Sequence, residues 1–132
     1  MPLLLDTSFL IAFHNERDVH HLKARTLWKT IEDLTHGQYF ISDYIFDELM
    51  SVSLRKNGKE KTLQLGNHVI HSIPLINIDA TLFKETWKFF TTTNHNFSFT
   101  DCTNLIILKE LGITTLATFD KEFSNIKDIE LL

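Results

Sequence analysis

Residues 97–123 read FSFTDCTNLIILKELGITTLATFDKEF, a helix pattern followed at once by a strand pattern. Thr100 to Leu111 carries its apolar residues at helical spacing, Gly112 is a natural helix stop, and Thr114 to Phe119 is a short β-branched and apolar run. That run ends in Asp120. The same order recurs upstream. Leu3 to Leu5 is an apolar run that ends in Asp6, followed by helix-like Thr7 to His14 and a longer periodic segment from about His20 to Leu34. Tyr39 to Ser42 reads as a second strand, with Asp43 placed to cap a helix running to about Lys56, and Glu60 to His71 as a further helix. Ile73 to Ile78 is another strand candidate, and Asp79 caps Ala80 to Thr92, where Leu82, Phe83, Trp87 and Phe90 recur at helical spacing. Thr91 to Ser98 is a loop, and Ile129 to Leu132 adds a short edge strand. Apolar strands alternating with helices predict an α/β fold: one three-layer α/β/α sandwich over residues 1–132, with a central, mostly parallel sheet of four to five strands. The strand order is not legible. Ligand chemistry in such a sheet belongs at the carboxyl ends of the strands.

A chain of 132 residues with 43% hydrophobic and 23% charged residues can bury a core without disulfides or a structural metal. The one cysteine, Cys102, excludes an internal disulfide and any site with two thiolates, and it suits a reducing, cytoplasmic compartment. It reads as a small buried thiol rather than a nucleophile. The N-terminal apolar run is broken by Asp6, well short of the roughly 18 residues a membrane span needs, so neither export nor insertion is expected. A net charge of −4 argues against a protein that grips nucleic acid over a broad basic surface. Carboxylates gathered around a cation resolve that objection, because the occupied site attracts phosphate.

The acidic residues carry the chemistry. Asp6 and Asp120 each follow a strand, where the alternative roles are a helix N-cap and a plain turn. Glu48 lies with Ile45, Leu49 and Val52 on one helical stripe, an inward direction that is costly for a carboxylate unless it is ion-paired or bound to a cation. Asp101 lies three residues after Ser98, the spacing of a capping box, and Asn104 follows one turn later on the same face. An oxygen-only cluster of this kind suits Mg²⁺ or Mn²⁺, whereas zinc prefers histidine or cysteine. The seven histidines, including His68 and His71 at i, i+3, lack a suitably spaced acidic or thiolate partner and read as surface or packing residues. Trp28, Trp87 and the phenylalanines read as core, some of them forming a dimer face.

Three stretches, LLLDTSFLIA from residue 3, YFISDYIFDELMSV from residue 39 and FSFTDCTNLIILKELGITTLATFDKEF from residue 97, together resemble the PIN-domain family, and within it the VapC-type ribonuclease toxins and their stand-alone relatives. The resemblance runs nearly end to end. It implies that Asp6, Glu48, Asp101 and Asp120 are the catalytic, metal-holding acids, the last in a Thr-x-Asp pattern with Thr118. Asp6, Asp101 and Asp120 would be the main ligands, and Glu48 would hold a water or complete the cluster. Ser8, Thr118 and Asn104 would support the site. The resemblance further implies cleavage of RNA with Mg²⁺ or Mn²⁺, a homodimer and a cognate antitoxin. Arg55, Lys56, Lys59 and Lys61 form the best local basic patch for RNA, against the plain reading of a solvated turn. Two other functions remain open: a non-catalytic PIN-fold module that binds RNA or protein, and an aspartate-dependent phosphatase, which would want a second Asp where Ser8 stands.

Overall fold

The computed structural model describes residues 1–127 and 129–132. Five strands, β1 (Leu3–Leu5), β2 (Tyr39–Ser42), β3 (Leu75–Ile76), β4 (Thr115–Ala117) and β5 (Glu130–Leu131), form one sheet in the order β3-β2-β1-β4-β5. All four pairings are parallel. Six helices cover the sheet: α1 (Thr7–His14), α2 (His21–Thr35), α3 (Asp43–Asn57), α4 (Lys59–Ser72), α5 (Ala80–Thr92) and α6 (Phe99–Leu111). They pack in sequential pairs, α1 on α2, α3 on α4 and α5 on α6. The architecture is the expected α/β sandwich.

The centre of the sheet is its driest part. Leu3, Leu4, Leu5 and Leu116 are fully buried, which is why β1 and β4 read as unbroken apolar runs and not as alternating ones. From β1 the chain moves outward through β2 and β3, then returns to lay β4 against the opposite edge of β1. That reversal leaves a crevice beyond the carboxyl ends of β1 and β4, where a doubly wound sheet binds its ligand.

Three local departures from the sequence reading have physical causes. Ser42, not Asp43, caps α3, its Oγ accepting from the Ile45 N–H at 3.0 Å. Asp43 is instead the first helical residue, and its carboxylate accepts from the N–H of Tyr44 at 3.0 Å and of Ile78 at 3.1 Å. β3 is therefore shorter than the apolar run Ile73 to Ile78: Pro74 has no N–H to donate, and the Ile78 N–H is taken by Asp43. The apolar stripe of α5 faces outward. Phe83, Trp87 and Phe90 are 46%, 56% and 39% exposed, while Thr86 is the buried residue of that helix.

Asp43 ties the start of α3 to the end of β3 across the edge of the sheet. Asp43→Ala should cost about 1 to 2 kcal/mol by urea unfolding, because the Ile78 N–H would lose a charged acceptor in a half-buried position. A loss of no more than a few tenths would mean that water replaces the carboxylate at no cost.

Candidate active site

Asp6 leaves β1 with its backbone still in the sheet, its N–H donating to the Ala117 carbonyl at 3.0 Å. It occupies the N-cap position of α1, yet its side chain makes no capping bond. The carboxylate, in a residue 3% exposed, is held by three other partners. Oδ2 accepts from Thr118 Oγ1 at 2.6 Å and from Ser8 Oγ at 3.1 Å, and Oδ1 accepts from Asn104 Nδ2 at 3.1 Å. The local cap explanation is thereby excluded for Asp6. Burial pushes its carboxyl up to about 6, against the pull of the Thr118 and Ser8 hydroxyls, and the Asp101 charge adds to the rise.

These hydroxyls also end β4. Ser8 Oγ accepts the Phe119 N–H at 2.9 Å and Thr118 Oγ1 accepts the Asp120 N–H at 3.0 Å. The chain therefore leaves the ladder after Ala117, two residues before the predicted end at Phe119. It turns so that Asp120 faces the crevice and caps the 3-10 turn Lys121–Asn125 by accepting from the Glu122 N–H at 2.9 Å.

Asp101 completes the predicted capping box of α6. The Ser98 N–H donates to its Oδ2 at 3.1 Å, and the Asp101 N–H donates to Ser98 Oγ at 3.0 Å. Its other oxygen takes no part in the box. Partial burial raises the Asp101 carboxyl, hydrogen bonds from Ser98 oppose the rise, and the charges of Asp120 and Glu48 reinforce it. Glu48 reaches the same place from α3 and is half-buried at the wall. Asp6, Glu48, Asp101 and Asp120 together line one cavity of about 500 Å³ at the carboxyl end of the sheet.

A PIN-domain family profile spans residues 3–129. The chain belongs to the PIN-domain family. Over 124 residues it is 23% identical to the 23S rRNA-specific endonuclease VapC20 of Mycobacterium tuberculosis, covering 92% of each chain. The crystal structure of VapC20, a Sarcin-Ricin loop cleaving toxin by its description, superposes with a TM-score of 0.83 at 22% identity over 92% of each chain. DNA-bound VapBC from Salmonella typhimurium gives a TM-score of 0.73 at 16% identity, covering 100% of this chain and 97% of that one. A toxin–antitoxin complex from Klebsiella pneumoniae gives 0.71 at 17%, covering 97% and 95%.

This PIN domain supplies oxygen donors only. Among the described residues no three His, Cys, Asp or Glu side chains are close enough together to form a ready-made coordination shell, although four acids line the one cavity. An all-oxygen lining suits a hard cation such as Mg²⁺, which keeps several waters and needs only one or two carboxylates directly. Two further features fit a cation there: burial raises both the Asp6 and the Asp101 carboxyl above their ordinary values, and Thr7 Oγ1, in a residue lining the cavity, is a buried oxygen without a hydrogen-bond partner. PIN-domain endonucleases are in general metal-dependent.

The four residues of the expected basic patch do not line a single cavity. Arg55 lines the acidic cavity, Lys56 and Lys61 line a neighbouring groove, and Lys59 lines neither. Glu48, Ser51, Val52 and Arg55 fall at i, i+3, i+4 and i+7 on α3, and all four line the acidic cavity. That periodicity was the available signal for Ser51, which the sequence reading did not mark, and for placing Arg55 with the acids. Thr7 had only its position after a strand-end aspartate. Cys102 is fully buried, with its thiol pushed up to about 11 by burial and by Asp101, which makes it inert.

The raised Asp6 carboxyl has a consequence for pH. A carboxyl whose folded pKa lies near 6 and whose unfolded value is 3.8 binds more protons in the folded chain between those values. Stability is therefore full below about pH 4 and lost as pH rises through 6, by on the order of 3 kcal/mol. His14 acts in the opposite sense, since burial together with the charges of His68 and Arg25 lowers its imidazole to about 4. Asp6→Asn isolates the first effect. In metal-free buffer, the stability of Asp6→Asn relative to the unaltered chain should rise by roughly 2 kcal/mol between pH 4.5 and 7.5, measured by urea unfolding. A difference that does not move with pH would mean that Asp6 is ionised throughout.

Proposed function

We propose that this PIN domain is an endoribonuclease that hydrolyses RNA phosphodiester bonds with Mg²⁺ or Mn²⁺, and that it is the toxin of a toxin–antitoxin pair. The observation that carries the reading is the convergence of Asp6, Glu48, Asp101 and Asp120 on one cavity at the switch point of the sheet. Asp6, Asp101 and Asp120 would hold the cation, with Glu48 completing the set, and the cation would supply a nucleophile near neutral pH and stabilise charge on the phosphate and the leaving oxygen. Ser8, Thr118 and Asn104 fix Asp6: their donors hold both carboxylate oxygens, so ligand geometry is set before substrate arrives. Glu48, half-exposed at the wall, accepts a hydrogen bond from the attacking water and orients it towards the phosphorus. The Arg55 guanidinium faces the same cavity and pairs with non-bridging phosphate oxygens, a role its planar fork suits.

The homology to VapC20 supports RNA as the substrate, and the likeness to VapBC and toxin–antitoxin complexes supports an antitoxin protein as a partner. The outward aromatic face of α5 supports a homodimer: Trp87 and Phe90 stack at 5.9 Å, and Phe83 and Phe90 meet Phe99 at 5.6 and 5.7 Å. We place the protein in the cytoplasm, a reading supported by its single buried thiol. No helix among the described residues is long and apolar enough to cross a membrane.

The test is cleavage of an RNA pool that includes 23S rRNA, with and without Mg²⁺ or Mn²⁺. Asp101→Asn and Asp6→Asn should each lower the rate by roughly 100-fold or more, and Asn104→Ala by about 10- to 100-fold, with unchanged circular dichroism. Mn²⁺ at about 100 times its Kd should stabilise the unaltered chain by roughly 2.7 kcal/mol. Unchanged cleavage by Asp101→Asn would end the assignment. Absence of both cleavage and metal-dependent stabilisation would favour a non-catalytic binding module.

A further inference from the structure

A second, larger cavity of about 860 Å³ adjoins the acidic one, and Ile11 and Val52 line both. The two therefore adjoin across an apolar saddle, Ile11 of α1 and Val52 of α3. The chemistry changes across that saddle. On the far side, Arg17, Lys56 and Lys61 share the lining with Glu16, three cations against one anion, in a chain whose net charge is −4. All three cations are exposed side chains and free to meet a ligand. In the same groove, His14 and His68 meet edge to face at 5.6 Å between centroids, and the amides of Asn15, Asn57 and Gln64 also line it. Burial keeps the His14 imidazole uncharged at neutral pH, so it offers one donor and one acceptor and adds no charge.

We propose that this groove is a nucleotide subsite for the RNA strand beside the scissile phosphate: Arg17, Lys56 and Lys61 take backbone phosphates, and the His14–His68 pair takes an unstacked base. The inference rests on the ribonuclease reading and extends it to how substrate is held. The combination is what single-stranded RNA requires, since its phosphates call for cations and its splayed bases call for flat rings and for amides that can reach their edges. A duplex would present its bases already stacked, so the groove selects a loop or an unpaired end. It also accounts for how an acidic chain grips a polyanion: attraction is concentrated along one path that leads to the cation site.

Binding separates this proposal from the cleavage reading. The probe is a fluorescein-labelled, mixed-sequence, single-stranded RNA of 12 nucleotides in Mg²⁺, bound to the slow Asp101→Asn protein and followed by anisotropy. Adding Lys56→Ala and Lys61→Ala should weaken binding roughly tenfold at low salt and flatten the log–log salt slope by about 1.4, with Arg17→Ala removing about 0.7 more. Lys59→Ala, at an exposed position outside both cavities, should leave binding and slope unaltered. In the active protein, the loss of kcat/KM caused by the double substitution should be about tenfold larger for the 12-nucleotide RNA than for a dinucleotide too short to span the saddle. Equal affinity and an equal slope in the folded Arg17, Lys56 and Lys61 variants would overturn the proposal. So would unmoved RNA binding together with lysine-dependent binding of hexaglutamate, which would make the groove a docking site for an acidic protein segment. Failure of the ribonuclease reading is seen separately, as absence of Asp101-dependent cleavage by the unaltered protein.

Discussion

The buried carboxylate of Asp6 holds together parts of the chain that are far apart in sequence. Its hydrogen-bond donors come from Ser8 on the helix it precedes, from Asn104 some 98 residues later and from Thr118 after a separation of 112. An unpaired acid at 3% exposure would cost several kcal/mol, so the three donors must arrive together or the end of β1 is unstable. Their arrival fixes how β4 ends, how α6 is rotated and where the first turn of α1 begins. A fold specified in this way brings its other acids to the same crevice. The residual strain is electrostatic: donors hold the charged form, while burial and neighbouring acids oppose it, a conflict that a bound cation would relieve.

Capping does not keep these acids from the cavity. Asp101 makes a complete capping box and Asp120 caps a 3-10 turn, yet each does so with one oxygen and directs its residue to the cavity wall. Local backbone bonds therefore act as the positioning device for the acids. Asp6 is the contrast, standing at an N-cap position with no capping bond because its carboxylate is fully engaged elsewhere. Charge is divided just as sharply. Anionic groups gather at the strand ends, Arg55 stands among them, and Lys56, Lys61 and Arg17 lie beyond Ile11 and Val52. A single net charge of −4 conceals this arrangement entirely.

Much of the fold was legible because its signals are local. Continuous apolar runs at Leu3 to Leu5 and Thr114 to Phe119, helix stops such as Gly112, and caps at Ser98 and Asp79 each depend on residues within a few positions of one another. The four acids could be named for the same reason, since each stands at a strand end, a helix start or a fixed point of a helical stripe. Element ends were less legible where a distant group claims a backbone bond, as Ser8 does at Phe119 and Asp43 does at Ile78. The α5 stripe misled because periodicity reveals that an apolar face exists and not which way it turns; Trp87 is 56% exposed.

By itself the sequence determined the alternation of strands and helices, the parallel character of the sheet and the identity of the acids, because spacing along the chain dictates spacing along an element. Only the tertiary structure decided the strand order, the three donors on Asp6, the placing of Arg55 with the acids and of Lys56 and Lys61 in the neighbouring groove, and the adjacency of those two cavities. Those depend on which elements become neighbours, and neighbourhood is set by burying the whole core at once and not by any segment alone.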